Sequence, residues 1–141
     1  MPEAHRTVVV PGSPEGVRRA VDDFEAFAAA NGLHVNTTWP IHVALDEILS
    51  NVVRHAYRGR PDGGRIEVRF GLQAGELELV ITDDAGPFDP LAVAEPDTGR
   101  PAEDRPVGGL GIFFVRRLMD CVEYRRRDGR NELTCRKRVV G

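Results

Sequence analysis

Glu47, Asn51 and His55 stand four residues apart within residues 38–57, which read TWPIHVALDEILSNVVRHAY. At about 100° per residue, this spacing places the three side chains in one polar row along a helix. A carboxylate and a carboxamide one turn apart, beside a cleft, can hold a metal-bound polyphosphate and orient a nucleophile. The alternative is an amphipathic helix whose polar row only faces water, and this segment alone does not decide between the two.

The apolar residues of the same segment predict the helix that carries the polar row. They recur at steps of three and four and form one stripe: Ile41, Leu45, Ile48, Leu49, Val52 and Ala56. Pro40 falls in the first turn, where a missing N–H is tolerated. Because the polar row lies at the edge of the stripe, we predict that it faces a cleft.

A second polar segment, DDAGPFDP at residues 83–90, follows directly after a predicted strand. An aspartate at the point where a strand runs into a glycine-containing bend can direct its carboxylate into a pocket. There it can accept a hydrogen bond from an amino group. A polar β-turn without further function is the alternative.

A third segment, Gly108-Gly109-Leu110-Gly111, opens a predicted apolar helix that runs to Val122. Glycines allow the backbone to approach a phosphate closely, and a helix N-terminus supplies unpaired N–H groups. The motif lacks the spacing of a dinucleotide fingerprint and the ending of a P-loop, so alone it also fits a flexible hinge.

Periodicity and turn residues predict the elements that position these segments. Ser13 and Pro14 form the start of a helix that Asn31-Gly32 ends with a left-handed cap. The other predicted elements are an edge strand at 5–10, a hairpin of strands 65–72 and 76–82, a long loop at 92–107, and a second hairpin at 123–127 and 132–138.

Composition predicts one soluble domain over residues 1–141, with 41% hydrophobic and 29% charged residues. A net charge of −3 argues against a nucleic-acid partner. We find no signal peptide or membrane-spanning stretch and expect a cytoplasmic protein without a membrane partner. The two cysteines, Cys121 and Cys135, are expected to be buried thiols rather than metal ligands.

In this order and spacing, the three segments resemble the N, G1 and G2 boxes of the GHKL ATPases. This family includes gyrase and histidine kinases, and its members share the Bergerat fold. The stretches DEILSNVVRHAY, DDAGPFDP and GGLGIFFVRRLMD are similar to those of small anti-sigma-factor serine kinases from bacterial partner-switching systems. The resemblance implies an α+β fold, a two-layer sandwich with a mixed, mostly antiparallel sheet and helices on one face.

The resemblance also implies roles for residues of the first two boxes. Asn51 would hold Mg²⁺ against the phosphates of ATP, and Glu47 would be the general base toward the acceptor hydroxyl. Asp83 would accept from the adenine amino group, with Ala85 where the family has glycine and Gly86 one place later. Asp84 is the alternative aspartate, because Asp84-Ala85-Gly86 also supplies the pattern Asp-x-Gly.

For the rest of the chain, the resemblance assigns Gly108, Gly109, Leu110 and Gly111 to the phosphates and Thr134 to the surroundings of the adenine. Arg100 and Arg105 lie in the predicted lid, where a cation could meet the γ-phosphate.

The implied function is an ATP-dependent protein serine kinase that phosphorylates an anti-sigma-factor antagonist; the expected partners are this antagonist, a sigma factor or both, and a homodimer is left open. The alternatives are a nucleotide-gated module that sequesters a sigma factor or another partner with little kinase activity, and a stand-alone ATPase. Glu47 separates the first two, since pure binding does not require a base.

Overall fold

The structure is a computed structural model and describes residues 3–56, 64–89 and 115–140. Its elements are β1 (Ala4–Pro11), α1 (Pro14–Ala30), α2 (Val35–Asn51), a π-helical continuation of α2 (Val52–Ala56), β2 (Arg65–Gln73), β3 (Glu76–Asp83), β4 (Cys121–Arg127) and β5 (Arg130–Arg138). None of the described helices is both long enough and apolar enough to cross a membrane.

The five described strands form one sheet in the order β1-β2-β3-β5-β4, and all four pairings are antiparallel, so this sheet is not mixed as expected. The predicted edge position of β1 and both predicted hairpins are confirmed. At the two hairpin turns, Ala74-Gly75 and Asp128-Gly129 have positive φ, between 52° and 78°. Two consecutive left-handed residues match the right-handed twist of the strands that they join.

One face of the sheet is apolar and carries both helices, as predicted. Its central strands bury alternate residues, which are Ile66, Val68, Phe70 and Leu72 of β2 and Leu77, Leu79 and Ile81 of β3. Phe24 and Phe27 of α1 pack against Phe70, with ring centroids 5.4 and 5.7 Å apart. The other face is largely polar, and there Arg136 donates to Glu78 over 3.0 Å.

Helix α1 begins as predicted, because the Ser13 side chain accepts from the Gly16 N–H at 3.2 Å and Pro14 takes the first helical position. Gly32, with φ of +63°, provides the left-handed residue after its end. The first turn of α1 lies directly against the end of β1. A Cβ atom added at Gly16 would lie only 1.9 Å from the carbonyl oxygen of Pro11.

Gly16→Ala is therefore expected to lower the free energy of unfolding by about 2 kcal/mol, since backbone rather than a flexible side chain would have to move. Chemical denaturation measures this loss. Gly86→Ala is the control, because an added Cβ there would meet nothing within 4 Å. Equal stability of the Gly16→Ala and wild-type proteins would contradict the close approach.

Helix α2 differs from the predicted helix at 38–57. It begins at Val35, because the His34 ring accepts from the Asn36 N–H at 3.0 Å, so Pro40 lies inside the helix rather than in its first turn. Proline this close to the N-terminus removes the one hydrogen bond to the carbonyl of Asn36, which is an exposed residue. The regular α-helix ends at Asn51, and Tyr57 lies outside the described residues.

The predicted helix through Val122 is wrong at its C-terminal end. Residues 115–118 are helical, but Cys121 already pairs with Arg136 and Val122 with Cys135. Pairing with β5 thus takes these residues into the sheet. Cys135 is buried as predicted, and this burial raises the pKa of its thiol to about 12. Cys121 is only half-buried, contrary to the prediction.

Candidate functional site

Asn51 is the last residue of α2 and is only 3% exposed. Its side-chain Nδ2 donates to the carbonyl oxygen of Glu47, one turn earlier, at 2.8 Å. A carbonyl can only accept, so the amide nitrogen must face it and Oδ1 points away from it. Within the described residues, Oδ1 of Asn51 has no hydrogen-bond partner, which leaves a buried oxygen ligand available.

The Glu47 side chain is half-buried and, among the residues that the structure describes, makes no hydrogen bond or ion pair. Glu47 and Asn51 thus share one side of α2, as predicted. The helix then changes to a π-helix over Val52–Ala56, a rare form that often occurs at functional sites. This wider turn alters the phase of the predicted polar row after Asn51.

His55 lies in the π-helix and is exposed, and its ring packs against Phe88 with centroids 5.8 Å apart. In the described part of the chain, the His55 ring makes no hydrogen bond to a strand. The ring contact instead brings the end of α2 beside residues 84–89. The first two predicted boxes are therefore neighbours in space.

Asp83 ends β3 on the apolar face of the sheet and is 4% exposed. Its Oδ1 accepts two hydrogen bonds, from Asn131 Nδ2 at 2.8 Å and from the Ala85 N–H at 3.0 Å. Oδ2 accepts none from the described residues. Burial raises the pKa of this carboxyl, and the hydrogen bond from Asn131 is the larger of the effects that lower it.

The structure distinguishes the two candidate aspartates. Asp84 is exposed, and it accepts from the backbone N–H of Arg65 at 3.3 Å. Strand alternation places Asp83 inward, so only Asp83 lies on the same face as the helices.

Ala85, where the resemblance expects glycine, fits its position. It is buried in the core, and positive φ among described non-glycine residues occurs only at Ala74 and Asp128. Its carbonyl accepts from Arg126 Nη1 at 2.8 Å. Gly86 is exposed, with open space where a Cβ would lie.

Asn131 was not among the predicted site residues, although it is 3% exposed and directly contacts Asp83. Its Nδ2 also donates to the Gly86 carbonyl at 2.9 Å. Its Oδ1 accepts from the Phe88 N–H at 3.1 Å and from Tyr124 and Arg126 of β4. The available signal is an asparagine in the inward row of β5, whose other buried members, Leu133 and Cys135, are apolar.

Thr134 does not lie where the resemblance places it. Asp83 pairs with Asn131 across the β3–β5 ladder, whereas Thr134 pairs with Val80. An odd offset of three residues along β5 turns the Thr134 side chain to the opposite face of the sheet from Asp83. We therefore exclude Thr134 from the candidate site.

The predicted phosphate segment, Gly108 to Gly111, and the lid arginines Arg100 and Arg105 lie outside the described residues. In the described part of the chain, no group of three or more His, Cys, Asp and Glu residues could hold a metal ion. A bound polyphosphate would supply further oxygen ligands to a cation at Asn51.

Comparison with known proteins finds a family match and several similar proteins. The histidine kinase-like ATPase domain family matches residues 10–137. Serine-protein kinase RsbW of Listeria monocytogenes is 30% identical over 121 residues, which cover 83% of this chain and 76% of that protein. Serine-protein kinase RsbW of Halalkalibacterium halodurans is 37% identical over 93 residues, which cover 63% of this chain and 56% of that protein.

Two solved structures share the fold at low sequence identity. The crystal structure of the RsbU and RsbW domains of a Mycobacterium tuberculosis protein has a TM-score of 0.68 at 17% identity, and the match covers 99% of this chain and 33% of that one. The crystal structure of the SiaB–SiaC complex of Pseudomonas aeruginosa has a TM-score of 0.60 at 14% identity, and the match covers 96% of this chain and 89% of that one.

The family match runs from the end of β1 almost to the end of β5 and includes both helices, strands β2 to β4, Asn51 and Asp83. The α+β fold and the kinship expected from the sequence motifs are thereby confirmed. This chain belongs to the histidine kinase-like ATPase domain family.

Proposed function

We propose that this protein is an ATP-dependent protein serine kinase that phosphorylates an anti-sigma-factor antagonist in a bacterial partner-switching system. The similarity to proteins named serine-protein kinase RsbW, over most of both chains in the Listeria protein, supports the reaction class. The fold shared with the SiaB–SiaC complex supports a protein as the partner. Binding of a sigma factor and formation of a homodimer belong to the same proposal.

The observation that carries the proposal is the buried carboxylate of Asp83. Asp83 is only 4% exposed. One of its carboxylate oxygens accepts two hydrogen bonds, and the other accepts none from the described residues. A buried acceptor without a partner is costly, so such a group is typical of a site completed by a ligand. The exocyclic amino group of adenine is a donor that would complete it.

Asn51 fits a hard cation bound with the phosphates. The contact to the Glu47 carbonyl holds its amide nitrogen, and the remaining oxygen is the kind of ligand that Mg²⁺ prefers. When bound there, Mg²⁺ would neutralise charge on the phosphate oxygens during transfer. Asn51 itself would only orient that cation relative to α2.

Glu47 is placed to act on the acceptor. Its half-buried carboxylate lies one helical turn from Asn51 and makes no hydrogen bond or ion pair to the described residues. It is therefore available to take the proton from a serine hydroxyl of the partner as that oxygen attacks the γ-phosphate. Proton transfer and positioning are the main contributions that a protein makes to such a reaction.

The Asn51→Ala variant tests the cation site. Wild-type protein is expected to bind ATP on the order of tenfold more tightly with Mg²⁺ than without it, whereas the variant should bind equally in both conditions. Isothermal titration calorimetry with and without Mg²⁺ measures the difference. Ser50→Ala is the control, because Ser50 faces a groove lined by α1 residues instead. A variant that keeps the full Mg²⁺ effect would contradict the assignment.

A further inference from the structure

The side-chain amide of Asn131 is held at both ends. Its nitrogen faces two acceptors, Asp83 Oδ1 and the carbonyl of Gly86. Its oxygen faces donors, among them the Phe88 N–H and the Tyr124 hydroxyl. Acceptors on one side and donors on the other leave only one orientation of the amide. Asn131 therefore works as a fixed link between β3, β4 and the loop at residues 84–89.

This link determines which oxygen of Asp83 is available. Asn131 and the Ala85 N–H both bond to Oδ1, and together they prevent rotation of the carboxylate. The other oxygen, Oδ2, accepts nothing from the described residues. Arg126 holds the Ala85 carbonyl and also contacts Asn131, so the loop that supplies the Ala85 N–H is itself held in place.

We propose that Asn131 is the positioning residue that makes this site specific for adenine nucleotides, by presenting Oδ2 of Asp83 as a single oriented acceptor. The inference rests on the proposed function, because it assumes that a nucleotide base meets Asp83. Adenine carries an amino donor where guanine carries a carbonyl acceptor. A fixed, ionised carboxylate oxygen therefore accepts from the adenine amino group and repels the guanine carbonyl. A protonated carboxyl can donate to that carbonyl, and a rotated one no longer directs Oδ2 at the base.

The charge of Asp83 depends on all the groups around it. Asp84 adjoins it, and Arg126 approaches from β4. The Tyr124 hydroxyl contacts Asn131, which in turn donates to Asp83. Burial raises the pKa of Asp83, while the hydrogen bond from Asn131 lowers it. Asn131 thus also favours the ionised form.

Asn131→Asp is the first test, because it keeps an acceptor oxygen for Phe88 and Tyr124 but replaces the donor nitrogen with a second acceptor oxygen, whose negative charge faces Asp83. We expect the ratio of ATP to GTP affinity to fall on the order of tenfold or more, chiefly through weaker ATP binding. Calorimetry with both nucleotides measures the ratio, and thermal unfolding verifies the fold. Glu132→Gln is the control, since its neighbouring side chain lies on the opposite face of β5.

A second variant, Asn131→Ala, removes the amide without adding charge and should shift the ratio in the same direction. The wild-type protein offers a measurement that needs no variant: its preference for ATP should decline as the pH falls through the pKa of Asp83. An unchanged ratio in a folded Asn131 variant would overturn the role of Asn131, and a wild-type preference independent of pH would overturn the role given to the charge of Asp83. Failure of the wild-type protein to bind either nucleotide would overturn the proposed function itself.

Discussion

Glu47→Gln is expected to lower phosphate transfer to a partner serine by about 10²- to 10⁴-fold, while ATP affinity stays within about twofold of wild type. Glutamine keeps the size and hydrogen-bonding capacity of the side chain but cannot take a proton. Glu47 lies one turn from Asn51, and its carboxylate makes no hydrogen bond or ion pair with a described residue. The loss should therefore fall on the chemical step rather than on nucleotide binding.

The measurement is transfer of labelled γ-phosphate from ATP to a purified antagonist protein, with ATP affinity measured in parallel. Asp46→Asn is the matched control, because Asp46 is the adjacent carboxylate and lies instead in the groove between α1 and α2. If Glu47→Gln transfers phosphate at the wild-type rate, Glu47 is an ordinary helix residue. If the wild-type protein binds ATP and its partner but transfers no phosphate, the nucleotide-gated binding module is the better description.

Asp83→Asn should weaken ATP binding by about tenfold to a hundredfold without destabilising the fold. The asparagine oxygen can still accept from Asn131 and Ala85, as Oδ1 of Asp83 does. Its NH₂ group then takes the place of Oδ2 and presents a donor to the adenine amino group, which is also a donor. The variant therefore loses affinity for ATP because two donors face each other at the adenine amino group.

The raised pKa of Asp83 also predicts the direction in which Asp83→Asn changes stability. Burial raises the pKa of Asp83 in the folded protein, so the folded state holds the proton more tightly than the unfolded chain does. When the pH is above the pKa of Asp83 in the folded protein, the buried ionised carboxylate lowers the free energy of unfolding. This loss is recovered as the pH falls from the folded-state pKa to the lower pKa of the unfolded chain. At neutral pH, Asp83→Asn should accordingly unfold at a temperature equal to or above that of wild type.

Thermal unfolding at several pH values and ATP calorimetry at neutral pH measure the two effects together. Asp84→Asn is the control, because Asp84 is exposed and should change neither ATP affinity nor the unfolding temperature appreciably. An Asp83→Asn protein that is clearly less stable than wild type would show that the carboxylate is structural. In that case its lost affinity could not be assigned to adenine.

Features that depend on neighbours in the chain followed from the sequence alone. The cap at Ser13 and the alternating residues of β2 and β3 are local patterns, and the structure shows both as predicted. The order of the Glu47–Asn51 and Asp83 segments identified the family by the same kind of local information, and the family match agrees. The predicted start of α2 is wrong, because Pro40 suggests a first turn whereas His34 caps the helix earlier.

Features that depend on strand pairing required the tertiary structure. A shift of one residue in register reverses the face of every side chain, so sequence alone could not tell which polar residue of β5 meets Asp83. The ladder pairs Asp83 with Asn131 and sends Thr134 to the opposite face. In the same way, pairing with β5 draws Cys121 and Val122 out of the helix that their apolar pattern predicted. Contacts between segments distant in the chain decided these points, because no local pattern encodes their register.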